Sequence, residues 1–139
     1  MRSLFASFAL LSTTGCISVS DAPAPASGAC LVGRPMVETM LFLGMASPVG
    51  PVTPQAFQAF VETEVTPRWK EGYTILEGQG LWYSDQRHIT EREPSRVLVR
   101  FHDGSLAASA DIEAIRKAYI AQFKQDAVLR TDRPACADF

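Results

Sequence analysis

The stretch that decides the fold is Gly72-Tyr-Thr-Ile-Leu-Glu-Gly-Gln-Gly-Leu-Trp-Tyr83, Ser84-Asp-Gln-Arg87, His88-Ile-Thr-Glu-Arg-Glu-Pro-Ser-Arg-Val-Leu-Val-Arg-Phe101. It reads as two long strands joined by a turn at Ser84–Arg87. Val97, Val99 and Phe101 alternate with Leu98, Arg100 and His102, the period of a strand with two different faces. Gly78 and Gly80 mark a bulge or a close backbone approach, and Pro94 suits a bulge or an edge position. Asp103-Gly104 closes the second arm.

Outward from the hairpin the pattern is repeated on both sides. On the N-terminal side, Val37 to Met45 is an apolar strand, and Ala46 to Val52 is a Pro- and Gly-bearing loop. Thr53 and Pro54 supply an N-cap and a first helical residue. Phe57, Phe60, Val61 and Val65 then recur at helical spacing, and Pro67 ends or bends the helix. On the C-terminal side a helix is expected over Ser109 to Gln125, with Ser109 as its cap and Ile112, Ile115, Tyr119 and Phe123 on one face. A short strand at Ala127–Thr131 follows, and Pro134 is expected to end the order. The sum is β-α-β-β-α-β. That predicts an α+β, ferredoxin-like fold: a four-stranded antiparallel sheet with two helices on one face and a long hairpin between the second and third strands.

The N-terminus reads as targeting. Arg2 precedes a short apolar run from Leu4 to Leu11, too short to span a bilayer, so residues 1–15 are expected to be a signal peptide. Thr14-Gly15-Cys16 resembles a bacterial lipobox, although Thr13 stands where Leu is usual. Lipidation at Cys16 would anchor the chain to a membrane, and Ile17 after it points to outer-membrane sorting. The alternative is a soluble periplasmic or secreted protein, cut further along. Residues 16–29 are the anchor Cys and a tether rich in Ala, Pro and Ser, and residues 30–139 form a single domain.

The chain has 139 residues, 13 basic and 15 acidic, for a net charge of -2. Arginine is dispersed, so nucleic acid is not an expected partner. With 3 Cys and 2 His, no metal site and no cofactor are expected. Setting Cys16 aside leaves Cys30 and Cys136, which export would pair as a disulfide; two free thiols or a redox pair is the alternative.

The catalytic candidates are Glu64 and Glu93. Glu64 is either a border carboxylate paired with Arg68 or a partly desolvated base. Trp82, Tyr83, Arg87, His88, Glu91, Arg92 and Glu93 crowd the hairpin, which reads as a salt-bridged arm or as a binding surface. Alternation puts Glu91 and Glu93 on one face and His88 and Arg92 on the other. The binding candidates are Arg68, Trp82, Tyr83, His88, Arg92 and Ser95. His88-x-x-Glu91 is a poor metal pair on a strand, and Gly78-Gln79-Gly80 lacks the rest of a dinucleotide loop.

Leu41-Phe-Leu-Gly44, Glu64-Val-Thr-Pro-Arg-Trp69, Gly78-x-Gly-x-Trp82, Glu93-x-Ser-Arg-Val97, Ile115-Arg-x-x-Tyr119 and Val128-Leu-Arg130 together resemble the bacterial family catalogued as domain of unknown function 3574. The resemblance covers about residues 30–139. It implies a small, often exported protein and carries over no catalytic residue. The expected role is therefore a non-enzymatic binding or interaction module of the cell envelope, with a homodimer or an envelope protein as its partner. Two rivals are a small cofactor-free enzyme with Glu64 or Glu93 as base, and a prodomain-like protease inhibitor.

Overall fold

The computed structural model describes residues 30–139; the expected signal peptide, Cys16 and the tether lie outside the described residues. The elements are β1 (Arg34–Gly44), α1 (Pro54–Phe60) running into a π-helical turn (Val61–Val65), β2 (Thr74–Ser84), β3 (Ile89–His102), α2 (Leu106–Phe123) and β4 (Leu129–Ala137). The four strands form one antiparallel sheet in the order β2-β3-β1-β4.

Strand alternation divides the sheet into two faces. Leu41, Leu43 and Leu98 point into the helix layer. There they meet Phe57, Phe60, Val61 and Val65 of the first helix and Ile112, Ile115, Tyr119 and Phe123 of α2. Phe60 packs edge-on against Tyr119, with ring centroids 5.0 Å apart. Met40, Phe42, Val97 and Val99 occupy the opposite positions, on the face that no helix covers.

The caps explain the helix bounds. Thr53 accepts a hydrogen bond from the Ala56 N–H, with Pro54 at the start, as expected. α2 begins earlier than its periodicity suggests, because Ser105 and not Ser109 is the cap. The Ser105 hydroxyl accepts from the Ala108 N–H, and the Asp103 carboxylate accepts from the Ser105 N–H. Ser109 lies inside the helix, where its hydroxyl accepts from Arg130. α2 stops at Lys124, which takes a left-handed conformation at φ 53°.

Two expectations about the sheet need correction, and a third is decided between its alternatives. Gly78 and Gly80 mark close approach and no bulge: pairing is continuous from Thr74 opposite Val99 to Ser84 opposite Ile89. His88 is not a strand residue but closes the turn at φ 55°. β4 is nine residues long and runs past Pro134, which sits opposite Val37 on an edge strand. An edge tolerates proline because one side of the strand has no neighbour to receive its N–H. Pro94 works similarly. Its carbonyl accepts from the Met45 N–H, and the Met45 carbonyl, which a donor at position 94 would have met, accepts from the Val52 N–H instead.

The β4 register brings Cys136 opposite Pro35, and Cys136 is disulfide-bonded to Cys30 with Cα atoms 5.5 Å apart. The link closes the sheet at the Arg34 end of β1. Among the described residues no helix is long and apolar enough to cross a membrane.

Candidate functional site

The other end of β1 is built differently. Gly44 pairs with Ser95, and Ser95 pairs with Gly78; in the next row Glu93 faces Gly80, and beyond it Glu91 faces Trp82. Three glycines thus surround Ser95 and Glu93 on the uncovered face and leave room there. A Cβ on Gly44 would lie 2.7 Å from Oε1 of Glu93 and 2.9 Å from Oε1 of Gln125, while one on Gly78 would lie 2.9 Å from the Ser95 hydroxyl. The glycines therefore act through close approach and not through unusual backbone angles.

Glu93 is half-buried and receives a hydrogen bond from the Ala46 N–H. Burial raises its pKa above the ordinary value, and the Ala46 bond offsets only part of that rise. No arginine or lysine lies within ion-pairing distance of it among the described residues, in contrast to the neighbouring Glu91 and to the other catalytic candidate, Glu64. Glu91 pairs with Arg87 at 3.2 Å, and Glu64 pairs with Arg68 at 3.0 Å. Beneath Gly44, the buried Tyr119 hydroxyl donates to the Gly44 carbonyl at 2.8 Å. Burial holds this phenol protonated, and the nearby Glu93 charge acts in the same direction.

A cleft of about 730 Å³ opens beside Glu93. Trp82, Arg87, Glu91 and Arg92 line its hairpin side; Ala46–Pro48 and Lys124–Ala127 form its other walls. Gln125 fixes these two loops to one another by donating to the Ala46 carbonyl. The cleft combines one aromatic wall, one arginine free of a carboxylate partner among the described residues, and one carboxyl group biased toward its neutral form. It can hold a small polar ligand by stacking and charge, and it can exchange a proton with that ligand through Glu93.

Of the sequence candidates, Glu93 and Trp82 share the face that borders this cleft, Arg92 borders it from the other face opposite Leu81, and Ser95 lies one row further along. Tyr83 is on the opposite face of the hairpin, and His88 sits at its turn. Glu64 and Arg68 form their ion pair elsewhere; Arg68 borders a separate depression with Arg34, Arg100 and His102. Gly44, Ala46 and Gln125 were not among the candidates. Gly44 stood in the sequence only as the end of the Leu41-Phe-Leu-Gly44 motif, and nothing local singled out Ala46 or Gln125.

A second polar group lies inside the sheet. The fully buried Thr39 hydroxyl donates to Asp132 and accepts from Nε2 of His102 at 2.8 Å, while Nδ1 of His102 accepts from the Gly104 N–H at 3.1 Å. The contacts assign a neutral imidazole protonated at Nε2. Burial lowers the His102 pKa, and the nearby Arg100 charge adds to that. Burial would raise the Asp132 pKa, but the Thr39 hydroxyl and Arg130 outweigh it and keep the carboxylate ionised. Both lone-pair and proton capacity of Thr39 are used, so this trio ties β1, β3 and β4 together and offers no free nucleophile. No cluster of metal-ligating side chains occurs among the described residues.

The fold and cleft define a small α+β domain with one covered and one open sheet face. Residues 38–139 match the family described as "Protein of unknown function (DUF3574)", and the chain belongs to that family. Two solved structures are similar. A phage SAM lyase in complex with S-methyl-5'-thioadenosine shares 14% identity at a TM-score of 0.54, covering 78% of this chain and 95% of that one. A phage SAM lyase in the apo state shares 15% identity at a TM-score of 0.54, covering 79% and 98%. At these identities the likeness is one of fold. No curated protein matches the chain.

Proposed function

We propose that this protein is a ferredoxin-like binding domain of the bacterial envelope that takes a small ligand in the cleft at the base of its hairpin. The ferredoxin-like reading rests on the interleaved order β2-β3-β1-β4 with both helices packed on one face. The envelope setting rests on the signal-like N-terminus with Cys16, read as a lipid anchor to the outer membrane, and on the Cys30–Cys136 disulfide, which suits an oxidising compartment. The observation that carries ligand binding is that Trp82 and Glu93 lie on one face of the hairpin and line a cleft whose size suits a small molecule, with Arg92 at its border. Trp82 would stack on a planar ring, and the Glu93 carboxyl would hydrogen-bond a polar group of the ligand. Native mass spectrometry after incubation with extracted bacterial metabolites tests this. A stoichiometric adduct that disappears in Trp82→Ala and Glu93→Ala is expected, and no adduct on the wild type refutes it.

One observation favours a second reading, a cofactor-free acid–base enzyme. Glu93 is the half-buried carboxyl with a raised pKa, and the similar phage structures are enzymes. SAM and S-methyl-5'-thioadenosine are therefore the first compounds to test. Conversion of SAM that is abolished in Glu93→Gln would replace the binding role with a catalytic one. The inhibitor reading gains nothing here: residues through Ala137 are paired in β4 and Cys136 is bonded to Cys30, so this segment does not lie free to enter a protease groove.

A further inference from the structure

We infer that the depression beside Arg100 is a second binding site, which takes a small monocarboxylate in place of the Glu71 side chain. Arg100 follows Leu98 by two positions on β3 and lies opposite Thr39, so it enters the helix layer and not the open face. Its side chain is only 9% exposed. An arginine cannot shed its charge, so burying it is costly unless its donors are met. Here most are not. Nε and Nη1 are closed to water and have no hydrogen-bond partner among the described residues, while Nη2 donates to one oxygen of Glu71 at 3.0 Å. The guanidinium also lies over the Trp69 ring, 5.5 Å from its centroid. That contact holds the group in place but gives its N–H groups no oxygen acceptor.

Glu71 satisfies Arg100 poorly. It stands between the first helix and β2, and its carboxylate is 75% exposed. An ion pair with one partner in water contributes little. Arginine presents its donors as a fork, and Glu71 uses a single prong of it. A carboxylate carried by a ligand is not tethered to the backbone, so it can take Nη2 and an adjacent donor together once Glu71 swings out to water.

Room for that ligand adjoins Arg100 as a depression of about 560 Å³. The start of α2 borders it at Ser105 and Ala107. The Ala107 N–H lies in the first turn of an 18-residue helix, where no intrahelical acceptor exists and the helix dipole favours an anion. The remaining charges select a single negative charge. Arg68 is paired with Glu64, and Arg34 shares the border with Asp103 and Asp111, so the rim has no surplus of positive charge for a phosphate dianion. Ala107, Ala108 and Phe139 supply an apolar border for a short hydrocarbon body. This depression shares no lining residue with the cleft beside Glu93, so the two sites stand or fall separately.

Titration of the full chain with sodium hexanoate tests the inference, read by nitrogen NMR of the arginine Nε–H and Trp69 indole signals. A saturable shift at Arg100 and Trp69 is expected, with none from hexanol or from chloride at equal ionic strength. Glu71→Gln removes the internal competitor at an exposed position and should tighten hexanoate binding about two- to fivefold, the range of an exposed ion pair. Arg100→Lys should weaken it roughly tenfold or more, as expected for losing hydrogen bonds to a charged group. If Glu71 were only a structural partner of Arg100, its removal would bring no tightening. The inference is overturned by a wild type without a saturable shift, by an equal shift with hexanol, or by a Glu71→Gln variant that binds hexanoate no more tightly. Tighter binding of hexyl phosphate than of hexanoate overturns the assignment to carboxylates.

Discussion

The carboxylate of Glu93 occupies the space that a side chain at Gly44 would fill, 2.7 Å from where its first carbon would stand. Neighbouring strands are thus fitted to one another at the cleft, and the fit is open to a one-carbon test. Gly44→Ala should push the flexible Glu93 and Gln125 side chains aside. The stability change should stay within about 1 kcal/mol, because only the ends of long side chains have to move. The Glu93 pKa should fall back toward 4.5 as the carboxyl gains water. Carbon-detected NMR titration reads this directly, and an unchanged Glu93 titration would show that Gly44 does not set its environment.

Glu93→Gln should stabilise the protein at neutral pH. A carboxyl whose pKa is raised on folding binds its proton more tightly in the native state, so its contribution is complete below the unfolded value of 4.5 and is lost as the pH rises through the folded one. Denaturation midpoints of wild type and variant should therefore coincide near pH 4 and separate above it, with the variant the more stable. A variant that is less stable at pH 7 would contradict the argument.

His102 should give the opposite slope. Its pKa is lowered by burial first and by Arg100 second, with Arg130 acting the same way and Asp132 and Asp103 opposing. Its contribution is present above the unfolded value of 6.5 and is lost as the pH falls toward the folded one. Protonation would also take Nδ1 from the Gly104 N–H, two residues before the start of α2. His102→Ala should cost about 2–3 kcal/mol, since it opens a space and leaves the Thr39 and Gly104 groups short of a partner. It should also flatten the stability profile between pH 5 and 7. A variant with the wild-type pH profile would remove His102 from this role.

The disulfide closes a separation of 106 residues. In the chain-entropy account, a loop of this length is worth about 4–5 kcal/mol. Cys30→Ser with Cys136→Ser should lower the guanidinium unfolding free energy by that order, and reduction of the wild type should reproduce the loss. A difference below about 1 kcal/mol would mean that the reduced unfolded chain is already restrained.

The sequence exposed some features of this molecule better than others. Helical spacing from Phe57 to Val65 and from Ile112 to Phe123 identified both core faces, because burial imposes that period directly. Alternation from Val97 to Phe101 identified β3. The errors fell where a local signal had two physical meanings. Ser109 satisfies a cap pattern but lies one turn inside the helix that Ser105 starts. Pro134 reads as a terminator but sits on an edge strand, where its missing donor costs little. Gly78 and Gly80 left a bulge and a close approach both open, and regular pairing with side-chain crowding around Ser95 and Glu93 selects the second. For the site, three of its residues were visible as an aromatic and charged cluster. The part that separates Glu93 from Glu91 was not, since the cleft walls around it include Ala46 and Gln125, 47 and 32 positions away.

The staple and the cleft lie at opposite ends of the central strand. Cys30 and Cys136 fasten the Arg34 end of β1, and Gly44 borders the cleft at the other, about 35 Å away for an eleven-residue strand. Whatever the chain before Cys30 is fixed to, the hairpin is held at the far pole. A protein mounted on a surface by its N-terminus would stand with that pole outermost, like a lamp on its stem. Because Cys30 is joined to β4 as well as leading into β1, a pull on the stem is shared by two strands from the start, and the distant cleft is shielded from it.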